Sequence, residues 1–166
     1  MESQKSQKFE NIRLFGIRPC SLIDGDGMRY AVFFQGCKHY CDGCHNKESW
    51  DENEGYEKPI QDIIDDIKTR KYFIEGISIS GGEPLLQYDK LLTLCKEFKK
   101  QLNKSIYVWT GYEMEYIKKH YPELLSYADE IFDGKFEINN PTKKMYRGSN
   151  NQQRWKKEGN TWGIID

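Results

Sequence analysis

The fold is decided by residues 29–44, RYAVFFQGCKHYCDGC, in which an apolar run leads directly into three cysteines. The run from Tyr30 to Phe34 is rich in aromatic side chains and predicts a short strand that is buried on both faces. Cys37, Cys41 and Cys44 follow within eight residues, separated by three and then two positions. The sequence therefore predicts a group of thiolates just past the C-terminal end of a buried strand, where α/β folds place their chemistry.

Three neighbouring thiolates indicate a soft-metal site, and the missing fourth ligand bears on which metal it holds. A structural zinc site completes its tetrahedron with further Cys or His ligands. The next cysteine, Cys95, lies in a predicted helix, where we expect a small buried apolar residue. An iron–sulfur cluster on three cysteines would leave one iron open to a substrate or cofactor. His39 or His45 could instead complete a Cys3His zinc site, and both interpretations stay open at this point.

The bulk properties of the chain exclude several classes of protein. Its 166 residues predict a single domain, and a net charge of -1 gives no electrostatic case for binding nucleic acid or a membrane surface. Residues 1–8 are polar, unlike a secretory signal, and we expect them to be flexible. Five cysteines are an odd number, which argues against a disulfide framework. Free thiols on a short loop suit the reducing cytoplasm.

Strands and helices alternate along most of the chain. Apolar runs predict strands at 9–17, 29–35, 74–80, 106–109, 130–132 and 161–165, and helical periodicity predicts helices at 59–67, 85–102 and 113–120. This alternation predicts an α/β fold of parallel strands with helices outside, too short for a closed barrel and therefore an incomplete one. The loops after the strands would line one face. Residues 139–166 are expected to be an irregular tail that ends in an edge strand.

A second motif, Gly81-Gly82-Glu83-Pro84, lies between a predicted strand and a predicted helix. Glycine has no Cβ, so the backbone here can approach a ligand closely. The N–H groups at the start of the helix would favour a carboxylate, and Glu83 would accept a hydrogen bond from an ammonium group. A pair of glycines alone is more often a plain turn, but its place beside the cysteine loop favours a site for a free amino acid.

Together, the CxxxCxxC loop after one strand and GGEP after the next resemble the radical S-adenosylmethionine family. The resemblance implies that Cys37, Cys41 and Cys44 hold a [4Fe–4S] cluster whose open iron is bound by the amino and carboxylate groups of S-adenosylmethionine. It implies an incomplete βα barrel of the radical S-adenosylmethionine type. The residues that it implies as cofactor contacts are Gly43, Cys44, His45, Gly81, Gly82 and Glu83.

Three further stretches resemble the activating enzymes of glycyl-radical proteins: DGDGMR at 24–29, FFQGC at 33–37 and CHNKESWD at 44–51. The resemblance implies an oxidoreductase in which flavodoxin or ferredoxin reduces the cluster. S-adenosylmethionine is then cleaved to methionine and a 5′-deoxyadenosyl radical, which removes a hydrogen atom from a glycine of a large partner enzyme. That step needs no acid–base residue, so we assign no catalytic side chain. The isolated chain is compatible with a homodimer.

Two alternatives compete with this interpretation. The activase of pyruvate formate-lyase shares DGxG and CHNxxxWD, but it is longer. The short chain, with WTGY at 109–112, Asp133-Gly134 and RGSNNQ at 147–152, favours a shorter member of the group. The second alternative is a zinc-binding Cys3His interaction module. The roles of Asp133, of Lys135 and of the 139–166 tail stay open.

Overall fold

The chain, described by a computed structural model over residues 10–166, forms one eight-stranded mixed sheet with helices between its central strands. The strands are β1 (Asn11–Ser21), β2 (Arg29–Phe34), β3 (Tyr56–Pro59), β4 (Gly76–Gly81), β5 (Ser105–Trp109), β6 (Glu130–Asp133), β7 (Gln153–Glu158) and β8 (Thr161–Ile165). The helices are α1 (Ile60–Thr69), α2 (Tyr88–Gln101) and α3 (Met114–His120), with 3-10 turns at Lys47–Ser49, Pro84–Gln87 and Pro122–Ser126. Residues 1–8, predicted to be flexible, lie outside the described residues.

The sheet order is β3-β1-β2-β4-β5-β6-β7-β8. β2, β4, β5 and β6 run parallel, with β2 and β4 aligned so that Phe34 lies beside Gly81. The predicted α/β class is therefore confirmed. The prediction of parallel strands throughout is wrong at both ends, where β1, β3, β7 and β8 pair antiparallel. The connections from β1 to β2 (22–28) and from β7 to β8 (159–160) are too short for a parallel crossover, which needs a dozen or more residues.

The prediction of an irregular tail is wrong for residues 153–158, which form β7. This strand, QRWKKE, pairs with β6 on one side and with the predicted edge strand β8 on the other. Only Arg154 of its residues is buried, so the strand has almost no apolar pattern to reveal it. The short strand β3, YEKP, was not predicted either, because it also lacks an apolar pattern.

The outer face of the sheet is apolar and packs against the helices. α1 buries four isoleucines on one face, Ile60, Ile63, Ile64 and Ile67, and α2 buries Leu91, Leu92, Leu94, Cys95 and Phe98. Cys95 is fully buried, as predicted, and burial raises the pKa of its thiol to about 12. Among the helices of residues 10–166, none has the length and apolar character to cross a bilayer.

The inner face of the sheet is polar and aromatic, and a buried arginine links its strands. Arg29 at the start of β2 donates to the Ser78 hydroxyl on β4 (3.1 Å) and the Ser105 hydroxyl on β5 (2.6 Å). Its guanidinium carbon lies 3.8 Å from the centre of the Tyr107 ring. Burial lowers the pKa of Arg29. The arginine of the DGDGMR stretch therefore fastens three parallel strands together.

A second arginine, Arg154 on β7, binds two carboxylates on this face. It donates through Nε to buried Glu130 on β6 (2.7 Å) and through Nη2 to Asp26 in the loop before β2. Four strand spacings separate β7 from β2, about 19 Å in a flat sheet. The 22–28 loop bridges that distance by lying over the inner face, where Gly25 packs against the Tyr107 ring too closely for a Cβ.

Replacing Arg154 with methionine should destabilise the fold by about 3–5 kcal/mol, because buried Glu130 would lose its ion-pair partner. An unpaired buried carboxylate has a raised pKa, so its destabilising effect is present at high pH and fades as the carboxyl group takes up a proton. The loss in free energy of unfolding should therefore be larger at about pH 8 than at about pH 5. Urea unfolding followed by circular dichroism measures both values.

The control for this prediction is Lys156→Met on the same strand, where the side chain is exposed. We expect a change within about 0.5 kcal/mol for that variant. An equal loss for the Arg154 variant at both pH values would contradict the burial of an unpaired Glu130.

Candidate metal and cofactor site

The candidate site is a cavity of about 220 Å³ at the C-terminal ends of the parallel strands. The loops that follow β2, β4, β5 and β6 all contribute to its walls, as the sequence predicted. Its lining residues are Cys37, His39, Cys41, Cys44, His45, Asn46, Ser49, Trp50, Ser80, Gly81, Gly82, Trp109, Thr110, Gly111, Phe132, Gly134, Lys135, Phe136, Gly148 and Gln152.

The cysteine loop is closed at its base by main-chain hydrogen bonds. Gly36 N–H donates to the Ser49 carbonyl (2.7 Å) and Cys37 N–H donates to the Trp50 carbonyl (3.1 Å). These bonds fasten the chain entering the loop to the chain leaving it. Within the loop, Tyr40 and Gly43 adopt positive φ, which lets the chain turn sharply between the cysteines. As a result Cys37, Cys41 and Cys44 all face the same cavity.

Burial favours the protonated form of two of the three thiols. Burial raises the pKa of Cys37, against a hydrogen bond from the His39 backbone that lowers it, and burial likewise raises the pKa of Cys41. Thiolates bind metal, so a cation that binds here must displace these protons. Asn46 N–H also lies 3.4 Å from the Cys44 sulfur, in position to donate to it.

The donor set fits an iron–sulfur cluster better than a single zinc ion. In the described part of the chain, residues 10–166, no three His, Cys, Asp or Glu side chains converge on one ion. A cluster of four irons spreads its cysteine ligands farther apart than one ion does. His39 is bonded to Glu83 through Nε2 (2.7 Å), and the His45 ring lies 5.5 Å from that of Phe136. His39 is therefore engaged by Glu83, whereas His45 lines the cavity with the cysteines, so the Cys3His alternative stays open for His45 alone.

The opposite wall of the cavity is formed by Gly81 and Gly82, which pack directly on the end of β2. Gly82 N–H donates to the Phe34 carbonyl (2.8 Å), and Glu83 N–H donates to the Gly36 carbonyl (2.8 Å). A Cβ on Gly82 would lie 2.3 Å from the Gly36 oxygen, and one on Gly81, with φ of 107°, would lie 2.4 Å from Phe34 N. Glycine is required here for contact between two backbones as well as for access to a ligand.

Two of the predicted cofactor contacts are placed differently from expectation. Glu83 is 2% exposed and lies outside the cavity lining. Its carboxylate accepts from Leu85 N–H, Gly111 N–H and the Thr110 hydroxyl as well as contacting His39. Both oxygens of Glu83 therefore already accept hydrogen bonds from the protein, and its contact with a ligand's ammonium group stays a prediction. Gly43 lies behind the cysteines, against Ile138.

The helix after the motif also begins later than predicted. Residues 84–87 form a 3-10 turn, and α2 starts at Tyr88. Proline at the first position and the Glu83 side chain, which accepts from Leu85 N–H, favour this tight turn. The free N–H groups of α2 therefore do not point from Gly82 into the cavity as the sequence suggested.

Of the two residues whose roles the sequence left open, Lys135 lines the cavity and Asp133 does not. The Asp133 carboxylate accepts from Met114 N–H (2.7 Å) at the start of α3 and from Gln153 N–H (3.2 Å) at the start of β7. Burial raises the pKa of Asp133, partly offset by these bonds. Asp133 is thus a structural acceptor that joins α3 to the end of the sheet.

The RGSNNQ stretch closes one side of the cavity. Gln152 accepts from Gly148 N–H and Ser149 N–H through its side-chain oxygen, and it donates to the Gly134 carbonyl (2.9 Å). Asn151 donates to the Lys135 carbonyl (2.7 Å). This part of the tail therefore has a defined structural role. The sequence did not identify Ser80, Trp50 or Phe136 as lining residues, although Ser80 directly precedes the glycine pair.

Comparison with known families agrees with this geometry. A model of the 4Fe-4S single cluster domain matches residues 23–155, most of the chain. The class of protein that the site and this match define is an iron–sulfur protein with one cluster. The cluster predicted from the sequence is confirmed at this level.

The relatives identify the family. The anaerobic ribonucleoside-triphosphate reductase-activating protein of Enterobacteria phage T4 is 36% identical over 88% of this chain and 95% of its own length. That of Haemophilus influenzae is 37% identical over 81% of this chain and 91% of its own. The chain belongs to the family of anaerobic ribonucleoside-triphosphate reductase-activating proteins, the shorter glycyl-radical activases that the sequence favoured.

Among solved structures, the crystal structure of QueE from Escherichia coli is similar, with a TM-score of 0.48 and 18% identity. The similarity covers 61% of this chain and 52% of QueE.

Replacing Gly82 with alanine should destabilise the protein by about 1–3 kcal/mol, because the new methyl group would push the Gly36 carbonyl away. The φ of Gly82 is not positive, so the effect would be steric alone. Gly163→Ala on β8, with nothing within 4 Å of its Cβ, is the matched control. Denaturant unfolding of both variants measures the difference, and equal stability would show that the two loops are not in contact in solution.

Proposed function

We propose that this chain installs a glycyl radical on the large subunit of an anaerobic ribonucleoside-triphosphate reductase, using an iron–sulfur cluster and S-adenosylmethionine. The observation that carries this function is the convergence of three cysteines and a glycine-pair wall on one cavity, in a chain of this family. When bound, the two cofactors together supply one-electron cleavage of a sulfonium and a carbon-centred radical that can remove hydrogen from glycine.

The residues present have distinct parts in holding these groups. Cys37, Cys41 and Cys44 would hold the cluster as thiolates. The backbones of Gly81 and Gly82 form the wall nearest to them and would bind the amino-acid end of S-adenosylmethionine, with His45 beside the third cysteine. Gly43, at the turn between the cysteines, and Glu83, which joins the neighbouring loops, are the other contacts predicted for S-adenosylmethionine.

Aromatic residues line the rest of the cavity and would exclude water from a reactive radical. The rings of Trp109 and Phe132 stack at 4.1 Å between centroids, and Phe136 covers His45 on the same side. In such chemistry a main role of the protein is to exclude water and other sources of hydrogen atoms from the radical. No acid or base is needed, which agrees with the structural engagement of both Glu83 and Asp133.

Several finer expectations belong to this proposal. Flavodoxin or ferredoxin would deliver the electron, the protein would work in the cytoplasm, and two copies of the chain could pair as a homodimer. One domain would span the chain, with its sheet curved into an incomplete barrel. The last point is supported by the 22–28 loop, which lies over the inner face and joins Arg154 on β7.

The direct test is anaerobic reconstitution of the chain with iron and sulfide, reduction with dithionite and addition of S-adenosylmethionine. We expect methionine and 5′-deoxyadenosine to form in the wild type and to fall to background in Cys41→Ala, which lacks one cluster ligand. Cys20→Ala removes an exposed cysteine outside the cavity and should cleave at the wild-type rate.

Adding candidate partners then identifies the substrate. We expect electron paramagnetic resonance to detect a glycyl radical on the reductase and none on pyruvate formate-lyase. A radical on the lyase alone would favour the longer activase's function. If the protein takes up zinc, contains no labile sulfide and does not cleave S-adenosylmethionine, the proposed enzymatic function is wrong. The Cys3His zinc module would then be the remaining interpretation.

A further inference from the structure

Glu83 is a junction between three segments that end at the cavity. Its carboxylate accepts from the Gly111 N–H (2.8 Å) and the Thr110 hydroxyl after β5, and from Leu85 N–H (3.0 Å) in its own turn. The cysteine loop contributes His39, whose Nε2 lies 2.7 Å from Glu83 Oε2. With 2% exposure, these contacts are sheltered from solvent. A buried carboxylate with several donors around it is a strong point of attachment.

His39 is held in a single orientation by its surroundings. Its ring meets Tyr112 edge to face at 4.7 Å, and its side chain is 10% exposed. Gly111 leaves the space it needs, since a Cβ there would come within 2.5 Å of the imidazole. Because a carboxylate oxygen faces Nε2 at 2.7 Å, we assign the ring proton to Nε2, which then donates to Glu83. The backbone of the same residue hydrogen-bonds to Cys37.

The two walls of the cavity are thus joined at two levels. Main-chain bonds from Gly82 and Glu83 to Phe34 and Gly36 join them at the base. Between Cys37 and Cys41, His39 makes the second link, a hydrogen bond to Glu83, the residue that follows the glycine pair. With main-chain bonds at its base alone, the cysteine loop could tilt relative to Gly81 and Gly82. A second hydrogen bond from within the loop fixes the distance between the two walls.

We propose that His39 is a positioning residue: by donating to Glu83, it holds the cysteine loop at the distance from Gly81 and Gly82 that a ligand bridging the two walls requires. The inference rests on the proposed function, which puts the cluster on one wall and S-adenosylmethionine across both. Removal of the imidazole should leave the three thiols able to hold a cluster and should weaken the binding of S-adenosylmethionine.

The test uses cluster-loaded His39→Ala and His39→Gln, since a glutamine amide places an N–H donor near the position of Nε2. The reduced cluster is titrated with S-adenosylmethionine and followed by electron paramagnetic resonance, with iron and sulfide measured for each protein. We expect wild-type cluster content in both variants. The midpoint of the titration should rise on the order of 10-fold in the alanine variant and return to within about 3-fold of wild type with glutamine.

A rise in KM for S-adenosylmethionine at nearly unchanged kcat should accompany the shift, because the lost bond affects binding. His120→Ala, which removes an exposed histidine at the end of α3, should match the wild type in every measurement.

Three results would overturn the inference: an unchanged midpoint in His39→Ala, loss of the cluster from that variant, or a glutamine variant as weak as alanine. Failure of the wild type itself to form a cluster or respond to S-adenosylmethionine would instead refute the proposed function, so the two failures are distinguishable.

Discussion

The constraint on which the site depends is contact between two backbones, at the end of β2 and at Gly81-Gly82. Parallel strands bring their C-terminal ends to one edge of a sheet, but they do not by themselves hold the loops that follow in contact. Here the hydrogen bonds from Gly82 to Phe34 and from Glu83 to Gly36 do so. No side chain fits between the backbones at Gly81 and Gly82, so main-chain geometry sets the separation of the loops at their base. Within the cysteine loop, the His39–Glu83 bond adds a second link.

The two faces of the sheet are stabilised by different kinds of interaction. The outer face obtains its stability mainly from apolar side chains packed against α1 and α2. Within residues 10–166, the inner face is not covered by a helix. It is filled instead by the 22–28 loop and by two buried arginines, Arg29 and Arg154, whose charges are matched by hydroxyls, carbonyls, carboxylates and aromatic rings. Such an interior tolerates a cavity beside it, because its walls are held by directed bonds rather than by dense apolar packing.

Sequence reasoning succeeded where a pattern had a local cause. The apolar run of β2, the isoleucine spacing of α1 and the three cysteines each specify their structure within a few residues. It failed where the cause lay elsewhere in the chain. β7 is a strand because β6 and β8 pair with it, not because QRWKKE favours one. Nothing in GGEP reveals that His39 and Thr110 approach Glu83 from two other loops.

The contribution of the C-terminal segment bears on the order of events in biosynthesis. The cysteines come from the first third of the chain, yet Gln152 closes the cavity beside them and Arg154 anchors the loop that fills the inner face. On the ribosome, the thiols emerge long before these residues do. A nascent chain therefore exposes its metal ligands on an open loop. The closed pocket can form only after residues 152–154 have also emerged, well after the cysteines.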